Sequence, residues 1–393
     1  MSLTVTGKPR WSRPPGGLWM LALTALLSGS GIARAAGPLD FALPQPGRAF
    51  SFPRDHGSHP EFALEWWYVT GELQEPDGVR HGFQATFFRR ANPLGPDAGA
   101  PATASFGDAH LYLAHMAFLD GASGTFLHEE RLNREGWDAG ASVQTLNLRN
   151  GNWFLRMAPE GGEDPSRPVL ELQGGIRADV AFRLTLTPRK PLVVFGTNGV
   201  SRKAAEPWAA SHYLTFPRLA VTGTLKLQGR DRVVHGEAWM DHEYSSSQLG
   251  AGQVGWDWAG IRLNDGREVM AYRLRRDDGT SDPFSTLAWV DAGGAVRHLD
   301  ATQFRWVTEG QWRSPATGAV YPARVRLETR DPESGAPLVL QLVPVRAAQE
   351  LTGGLGGIAY WDGACRVLDA AGRELGNAFL EMTGYAASLA GRL

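Results

Sequence analysis

The chain has 393 residues, 43% of them hydrophobic, and its 39 basic residues nearly balance 41 acidic ones, leaving a net charge of −2. This balance argues against a general nucleic-acid binder, which normally has a strongly basic domain, and the hydrophobic content argues against a disordered chain. The 48 glycines and 25 prolines are too many for a mainly helical protein and are typical of many strands joined by turns. The only cysteine, Cys365, excludes an intramolecular disulfide.

Residues 1–35 have the features of a cleavable secretory signal. Three basic residues precede an apolar run, Leu18–Leu27, and a small-x-small site ends at Ala35. The run is too short to cross a bilayer. We therefore expect cleavage after Ala35 and a periplasmic or secreted mature protein, with an uncleaved membrane anchor as the alternative.

Short patterns in the first half of the chain recur in the same order in the second half. They predict two copies of one domain, at residues 47–228 and 233–390, with a boundary near Gly229–Arg232. Convergent strand composition is the alternative explanation. The matched blocks are Trp66-x-Tyr68 with Trp256-x-Trp258, Ala117–Asp120 with Ala288–Asp291, Leu155–Met157 with Val325–Leu327, and Pro168–Leu172 with Pro337–Leu342.

Within each copy the local pattern indicates β-structure. Segments such as Leu184–Thr187 alternate apolar and polar residues, and turn sequences separate such segments. An antiparallel meander of this length favours closure into a barrel or a sandwich, because an open sheet would expose long edges. We interpret Ala91–Ser105, rich in Pro, Gly and Ala, as a long loop. The turn sequences are Pro76-Asp77-Gly78, Arg149-Asn150-Gly151-Asn152, Asn264-Asp265-Gly266 and Asp277-Asp278-Gly279.

Long motifs rich in Trp and His extend over nearly the whole mature chain. They are Phe52–Pro60, Glu65–Gly71, Trp239–Ser246, Gly255–Trp258, Tyr360–Gly363 and Leu380–Tyr385. These motifs resemble those of the family of AttH and carotenoid 1,2-hydratase proteins. The resemblance implies an all-β protein of two tandem lipocalin-like antiparallel β-barrels, in agreement with the duplication and the turns. It also implies that some relatives hydrate the terminal double bond of acyclic carotenoids, while many others are called only secreted hydrolases.

Hydration of an isolated alkene needs a strong proton donor, aromatic faces beside the cation and a positioned water. An acid in an apolar pocket, with a raised pKa, meets the first need. One segment and the aromatic residues near it contain all these residue types. The catalytic candidates are Glu237, Asp241, His242, Tyr244 and Tyr272, and the substrate-binding candidates are Trp66, Trp67, Tyr68, Trp239, Trp256 and Trp258.

No single strand face presents the whole catalytic set. On a strand, Glu237, Trp239 and Asp241 share one face, while His242 and Tyr244 share the other.

The resemblance assigns roles to some of these positions. The hydratases use a His with a Trp two residues later, and a Tyr with an Asp two residues later. The His aligns with His242 and the Tyr with Tyr272; the Trp position is Tyr244 and the Asp position is Leu274, which cannot move a proton. Asp241 or Glu237 is then the remaining acid, with His242 to relay or orient its proton. Alternatively, Asp241 and His242 form a hydrogen-bonded structural pair between the barrels.

Other sites have weaker support in the sequence. Three serines, Ser245–Ser247, lie beside His242, but no G-x-S-x-G elbow occurs. His110 and His115 are five residues apart on a predicted strand and face opposite sides. The segment with Asp55, His56, His59 and Glu61 has no closing metal ligand and is expected to cap a barrel.

The sequence therefore predicts an exported protein that binds a long apolar molecule, an isoprenoid or a lipid, with acid–base hydration of a C=C bond as its candidate activity. Three alternatives remain: a non-catalytic carrier that assists an export system, a secreted hydrolase, and filled barrels that serve as an interaction surface. No cofactor or metal is expected, and nucleic acid is not a partner. A peripheral contact with a membrane or an export system is a further expected partner interaction.

Overall fold

The computed structural model describes residues 41–91, 110–136, 138–159, 162, 164–355 and 358–391. The expected signal, residues 1–35, and residues 92–105 of the expected loop lie outside these ranges. The described residues form antiparallel strands and one 3₁₀ turn, Arg54–His56. None of their helical segments has the length and hydropathy to cross a membrane.

The first sheet has 13 strands and extends from residue 64 to residue 247. Hydrogen bonds between side chains join strands near its two ends. The side-chain amide of Asn133 donates to the side-chain oxygen of Asn150 (2.6 Å), and the side-chain amide of Asn150 donates to the carbonyl of Tyr112 (3.1 Å). The sheet is therefore a nearly closed barrel. Its strands are β1 Leu64–Gln74, β2 Arg80–Ala91, β3 His110–Leu119, β4 Phe126–Arg134, β5 Ala139–Ala141, β6 Asn147–Asn150, β7 Trp153–Met157, β8 Leu170–Ile176, β9 Val180–Pro188, β10 Val193–Phe195, β11 Ser201–Arg202, β12 Ala210–Leu227 and β13 Arg230–Ser247.

These strands are ordered β4-β3-β2-β1-β13-β12-β9-β8-β7-β6-β5, and β10 and β11 pair with β12. The second sheet has the order β17-β16-β15-β14-β23-β22-β20-β19-β18, and β21 pairs with β22. Its strands are β14 Gln253–Leu263, β15 Glu268–Arg276, β16 Thr286–Val290, β17 Val296–Asp300, β18 Arg305–Arg313, β19 Val320–Arg330, β20 Pro337–Pro344, β21 Glu350–Leu351, β22 Tyr360–Leu368 and β23 Glu374–Met382.

Each sheet wraps around its own apolar core. In β1 the side chains of Trp67, Val69 and Leu73 enter the first core, and those of Trp66 and Tyr68 point to the second barrel. This division follows from the two-residue period of a strand. The prediction of two tandem lipocalin-like antiparallel β-barrels is confirmed.

The predicted turns connect strands. Gly78, between β1 and β2, has a φ of 92°, and Gly151, between β6 and β7, has a φ of 64°. Glycine adopts this left-handed backbone conformation at no steric cost because it has no Cβ atom. The strands therefore end and reverse at Asp77-Gly78 and at Asn150-Gly151. The other two turn sequences join β14 to β15 and β15 to β16.

The change of sheet falls later than the sequence predicted. The expected boundary, Gly229–Arg232, lies at the hairpin between β12 and β13, and both strands belong to the first sheet. The chain enters the second sheet only at residues 248–252, because β13 continues to pair with both β1 and β12 as far as Ser247. A glycine-rich hairpin has the same composition as an interdomain linker, so composition alone did not separate them.

The repeat is visible in the strand order. β1 and β14 occupy equivalent places, each next to the last strand of its sheet, and β3 and β16 are each two strands away from them. These strands contain the first two matched blocks. The last two blocks are displaced by one strand: β8 is the fourth strand from β1 in the direction of β13, whereas β20 is the third strand from β14 in the direction of β23.

The barrels pack side by side through their outer faces. A shared apolar cluster contains Tyr68 and Trp239 of the first sheet and Trp258 and Phe379 of the second. The two barrels approach each other closely at Gly82 of the first sheet. A Cβ atom added to this glycine would lie only 3.1 Å from the Cβ of Ala364 in the second sheet. A cleft between the barrels remains open beside this contact.

Candidate functional site

A cavity of about 310 Å³ lies between the two barrels. This volume is at the lower end of the range for small-molecule sites, and most of the lining is apolar. The cavity is lined on one side by Leu64, Trp66, Tyr68, Thr86, Phe88, Arg90, Leu111, Leu113, His115, Leu132, Tyr213, Asp241 and Glu243, and on the other by Trp256, Trp258, Leu355, Ile358, Tyr360, Glu381, Thr383 and Leu389.

Strand register explains why these side chains meet. Paired residues on neighbouring strands project to the same face. One row therefore crosses the first sheet as His115, Thr86, Tyr68, Asp241 and Thr215. A parallel row consists of Leu113, Phe88, Trp66, Glu243 and Tyr213, and a row on the second sheet consists of Tyr272, Trp258, Glu381 and Asp362.

Asp241 is the buried acid at the centre of the first row. Its carboxyl group accepts hydrogen bonds of 2.7 Å each from the hydroxyls of Tyr213 and Thr215 and from the indole N–H of Trp239. Burial raises the pKa of Asp241 to about 7, although these three hydrogen bonds act in the opposite direction. At neutral pH this carboxyl group therefore exists in both its protonated and ionised forms.

Tyr213 connects Asp241 to the second barrel. Its hydroxyl donates to Asp241 and accepts a hydrogen bond of 2.9 Å from the indole N–H of Trp258. Tyr213 and Trp258 both line the cavity, so this hydrogen-bonded chain joins the acid of the first barrel to the wall of the second.

Two further acids belong to the second barrel: Glu381 lines the cavity, and Asp362 is its paired neighbour in the sheet, outside the lining. The hydroxyl of Tyr68 donates to Oδ1 of Asp362 (2.8 Å), and the indole of Trp256 donates to Oε1 of Glu381 (2.9 Å). Burial raises the pKa of Asp362 to about 8, with the hydrogen bond from Tyr68 acting against it. Burial and the charge of Asp362 both raise the pKa of Glu381 well above its ordinary value.

The third acid of the cavity lining, Glu243, has a countercharge. Its carboxylate lies 3.2 Å from the ammonium of the buried Lys203 and accepts a hydrogen bond from Ser211. The ammonium also lies 4.3 Å from the ring centre of Tyr272. Burial would lower the pKa of Lys203, but Glu243 outweighs it and the pKa is raised.

The opposite face of β13 carries a separate buried network. Nε2 of His242 and Nδ1 of His59 each lie 2.9 Å from Oε1 of Glu65, and Nε of Arg89 lies 3.0 Å from Oε2. Burial by itself would raise the pKa of Glu65. The hydrogen bonds and charges of His242, His59 and Arg89 outweigh burial, and the pKa lies well below its ordinary value. Tyr244 stacks on His59 with ring centres 3.7 Å apart.

His59 is held between two carboxylates. Its Nε2 lies 2.9 Å from Asp55 and its Nδ1 2.9 Å from Glu65. Burial by itself would lower the pKa of His59. The hydrogen bonds to Asp55 and Glu65 outweigh burial, and the pKa is raised. The ring is therefore an imidazolium that donates from both nitrogens. The segment with Asp55 and His59 packs across one end of the first barrel, where the N–H of Ser58 donates to the carbonyl of Ser142 (2.8 Å).

The same network tests whether a metal fits. Ligand atoms of His59, Glu65 and His242 lie within 4.8 Å of one another. The guanidinium of Arg89 already neutralises Glu65, however, and both nitrogens of His59 already face carboxylates. An added cation would meet Arg89 at short range, so this donor set fits an ion network better than a metal site.

The structure separates the catalytic candidates. Asp241 lines the cavity, whereas His242 points into the Glu65 network. The predicted proton relay between Asp241 and His242 is therefore wrong, and so is the alternative prediction of a hydrogen-bonded pair. A strand directs adjacent side chains to opposite faces. Tyr244 lies with His242. Glu237 shares the face of Asp241 but pairs with Arg218 (2.9 Å) at a half-exposed position away from the cavity.

Tyr272 and Leu274 also lie outside the cavity lining. The hydroxyl of Tyr272 is 3.2 Å from that of Ser201, and the N–H of Leu274 donates to Ser285 (3.0 Å). Of the substrate-binding candidates, Trp66, Tyr68, Trp256 and Trp258 line the cavity, Trp67 lies in the first core, and Trp239 lies behind Asp241.

Sequence reasoning missed four polar residues at this site: Tyr213, Glu381 and His115, which line the cavity, and Asp362, which lies beside Glu381. Two of them, Asp362 and Glu381, occur in the motifs Tyr360–Gly363 and Leu380–Tyr385, and each shares its strand face with an aromatic residue two positions earlier, Tyr360 and Phe379 respectively. That pattern was a usable signal. His115 has no such pattern around it in the sequence. Its Nδ1 lies 2.8 Å from the hydroxyl of Tyr360, and burial lowers its pKa to about 4.

A sequence profile of the AttH-like family matches residues 43–385. The chain belongs to the AttH-like family. A crystal structure of an AttH candidate from Nitrosomonas europaea is 33% identical to it, with a TM-score of 0.76, and the alignment covers 88% of this chain and 100% of that one. No curated protein sequence matches the chain.

More distant structures share the fold of this AttH-like protein. Kievitone hydratase from Nectria haematococca is 14% identical, with a TM-score of 0.63 and coverage of 88% of this chain and 98% of that one. The protein CghA is 16% identical, with a TM-score of 0.50 and coverage of 89% and 96%. At these identities the likeness concerns the lipocalin-like architecture alone.

Proposed function

We propose that this AttH-like protein binds an apolar molecule between its barrels and adds water to a C=C bond of that molecule. The observation that carries the proposal is Asp241, an acid with a pKa of about 7 at the wall of a mostly apolar cavity. A general acid works best when its pKa is close to the working pH. The hydratase activity named for one structural neighbour agrees with this chemistry.

The cavity supplies the other requirements of alkene hydration. Asp241 gives its proton to the alkene carbon, directly or through Tyr213, and the π electrons form the new C–H bond. The faces of Trp256, Trp258 and Tyr68 lie around the cavity, where they stabilise the resulting cation. Water then adds to the cation and gives an alcohol.

The size of the cavity restricts the substrate. A volume of about 310 Å³ accommodates a small apolar molecule or one end of a long chain. An acyclic isoprenoid that inserts its terminal trisubstituted double bond fits both the volume and the lining. The rest of a longer chain would leave the cavity past Leu132 and Leu355, which are 44% and 56% exposed.

A non-catalytic carrier of lipids is the second candidate, and the mostly apolar lining of the cavity favours it. Acyl hydrolysis has no comparable support, because the hydroxyls of Ser245 and Ser246 bond to Gln248 and to the carbonyl of Ala42. A carrier does not need the acid, so Asp241 distinguishes the first two functions.

The test uses geraniol and squalene as probes in water enriched in ¹⁸O. We expect the wild-type protein to form an alcohol containing ¹⁸O, and Asp241→Asn to reduce its rate of formation by about 10²- to 10⁴-fold while probe binding persists. Glu237→Gln, on the same strand face, is the matched control and should retain the activity. Unchanged turnover in Asp241→Asn would refute the proposal; binding of both probes without product in any variant would support the carrier.

A further inference from the structure

The second barrel carries an unusual pair of acids, of which Glu381 lines the cavity and Asp362 lies beside it in the sheet. Asp362 on β22 and Glu381 on β23 are directly paired in the sheet, so their side chains lie next to each other on one face. Neither forms an ion pair with a Lys, Arg or His among the residues that the structure describes. Two neighbouring carboxylates without a countercharge repel each other strongly at a buried site, so one of them retains a proton.

The contacts of the pair direct it toward the cavity. Tyr68 and Trp256, both cavity-lining, donate to Asp362 and Glu381 respectively. Glu381 itself lines the cavity. Oδ2 of Asp362 is buried and has no hydrogen-bond partner among the described residues. The pair therefore has donors that fix its orientation and one oxygen still open to a further partner.

We propose that Asp362 and Glu381 together hold one proton and form the base that deprotonates the attacking water. The inference rests on the proposed hydration. It assigns opposite roles to the two walls: Asp241 of the first barrel supplies the proton to carbon, and the pair of the second barrel accepts the proton of the water. The site is complete only when both barrels are present.

The proton and electron balance is closed. The O–H bond of Asp241 breaks as the alkene π electrons form the C–H bond, leaving a tertiary cation and a carboxylate. The water oxygen donates a lone pair to the cation and forms the C–O bond. Its O–H bond breaks, and the proton passes to the ionised member of the pair. Proton exchange with solvent then returns one proton to Asp241 and removes one from the pair, and the net change is addition of water.

The test separates the two half-reactions in deuterated water and in ¹⁸O-water with geraniol. Without the base, protonation of carbon and its reversal continue, so Asp362→Asn and Glu381→Gln should lose ¹⁸O-alcohol formation by about 10²- to 10⁴-fold yet still introduce deuterium into the recovered alkene. Asp241→Asn should lose both signals. Because the two acids act as a unit, the double variant should lose little more than either single one.

A titration readout does not depend on activity. Infrared difference spectra should show a protonated-carboxyl band at neutral pH that Asp362→Asn removes and that Asp241→Asn retains. Glu350→Gln is the control for substitution of a buried glutamate; this residue accepts a hydrogen bond of 2.8 Å from Tyr321 and does not line the cavity. Tyr68→Phe keeps the pair and removes one donor, so it should reduce alcohol formation less than Asp362→Asn does.

The outcomes are distinct. If Asp362→Asn and Glu381→Gln fold and form alcohol as the wild type does, the assignment of the base is overturned while the proposed function stands. If they lose deuterium incorporation together with the alcohol, the pair acts in protonation of carbon and the assignment is also overturned. If the wild type hydrates neither geraniol nor squalene, the proposed function fails, and the base role fails with it even if the infrared band shows a shared proton.

Discussion

The hydroxyl of Tyr68 on β1 donates a hydrogen bond of 2.8 Å to Oδ1 of Asp362 on β22, and so connects the two barrels at the cavity wall. Both residues are buried. Each barrel thus supplies one half of a polar contact that neither could satisfy alone. The contact contributes to the packing of the barrels and orients the acid at the same time.

We expect Tyr68→Phe to lower the free energy of unfolding by about 1–3 kcal/mol, because it leaves a buried carboxyl oxygen without its donor. Thermal denaturation monitored by circular dichroism measures the effect. Tyr244→Phe is the matched control: its hydroxyl is buried without a hydrogen-bond partner among the described residues, so its removal should cost little. Equal losses in the two variants would contradict the assigned bond.

The rate of hydration should depend on the ionisation of Asp241. The protonated form is the active one, so kcat/KM should fall as the pH rises through about 7, the pKa of this carboxyl group. The hydroxyl of Thr215 stabilises the ionised form through its hydrogen bond. Thr215→Val should therefore raise the pKa and move the alkaline limb of the profile to higher pH, whereas Thr222→Val, an exposed change on the same strand, should not. A shift to lower pH in Thr215→Val would contradict this.

The stability contributed by His59 should be lost at alkaline pH. Its pKa in the folded protein is raised above the ordinary value of 6.5, so its contribution is complete below that value and disappears as the pH rises through the folded pKa. We expect the difference in melting temperature between the wild type and His59→Gln to shrink as the pH increases above 6.5. Taking the difference cancels the titration of the other histidines. A difference that grows with pH would refute the imidazolium assignment.

Glu65→Gln tests the same network by removing its central charge. Arg89 and His59 would lose their buried partner, and breaking a buried ion pair typically costs about 3–5 kcal/mol. Urea denaturation should show this loss. Glu171→Gln removes a half-exposed partner of Arg156 and should change the free energy of unfolding by less than about 1 kcal/mol. Comparable losses in both variants would show that the network contributes no special stability.

Filling the cavity should block binding under either proposed function. Leu113→Trp adds bulk at a lining position, whereas Val233→Trp adds the same ring at a residue that is 71% exposed. Fluorescence titration with an apolar dye that squalene displaces should show at least a tenfold weaker affinity, about 1.4 kcal/mol, for the first variant only. An unchanged affinity would place the ligand elsewhere.

Much of the fold was predictable because its signals are local. The alternation in β13 separates Asp241 from His242 whatever the rest of the chain does, and the Asp-Gly turns fix where strands reverse. The same alternation gave Trp66 and Tyr68 a common face. The boundary at Gly229–Arg232 failed because a hairpin and a linker share one composition.

The sequence by itself determined the all-β class, the duplication, the family and the strand faces, because each depends on residues close together in the chain or on long motifs. Only the tertiary structure decided that the cavity lies between the barrels, and that Asp241 shares its lining with Glu381, the neighbour of Asp362, rather than with Tyr272 or His242. These groups lie on β13, β22 and β23, and their meeting depends on sheet order and on how two outer faces pack. Neither leaves a local pattern in the chain, since packing between sheets is set by the shapes of whole surfaces.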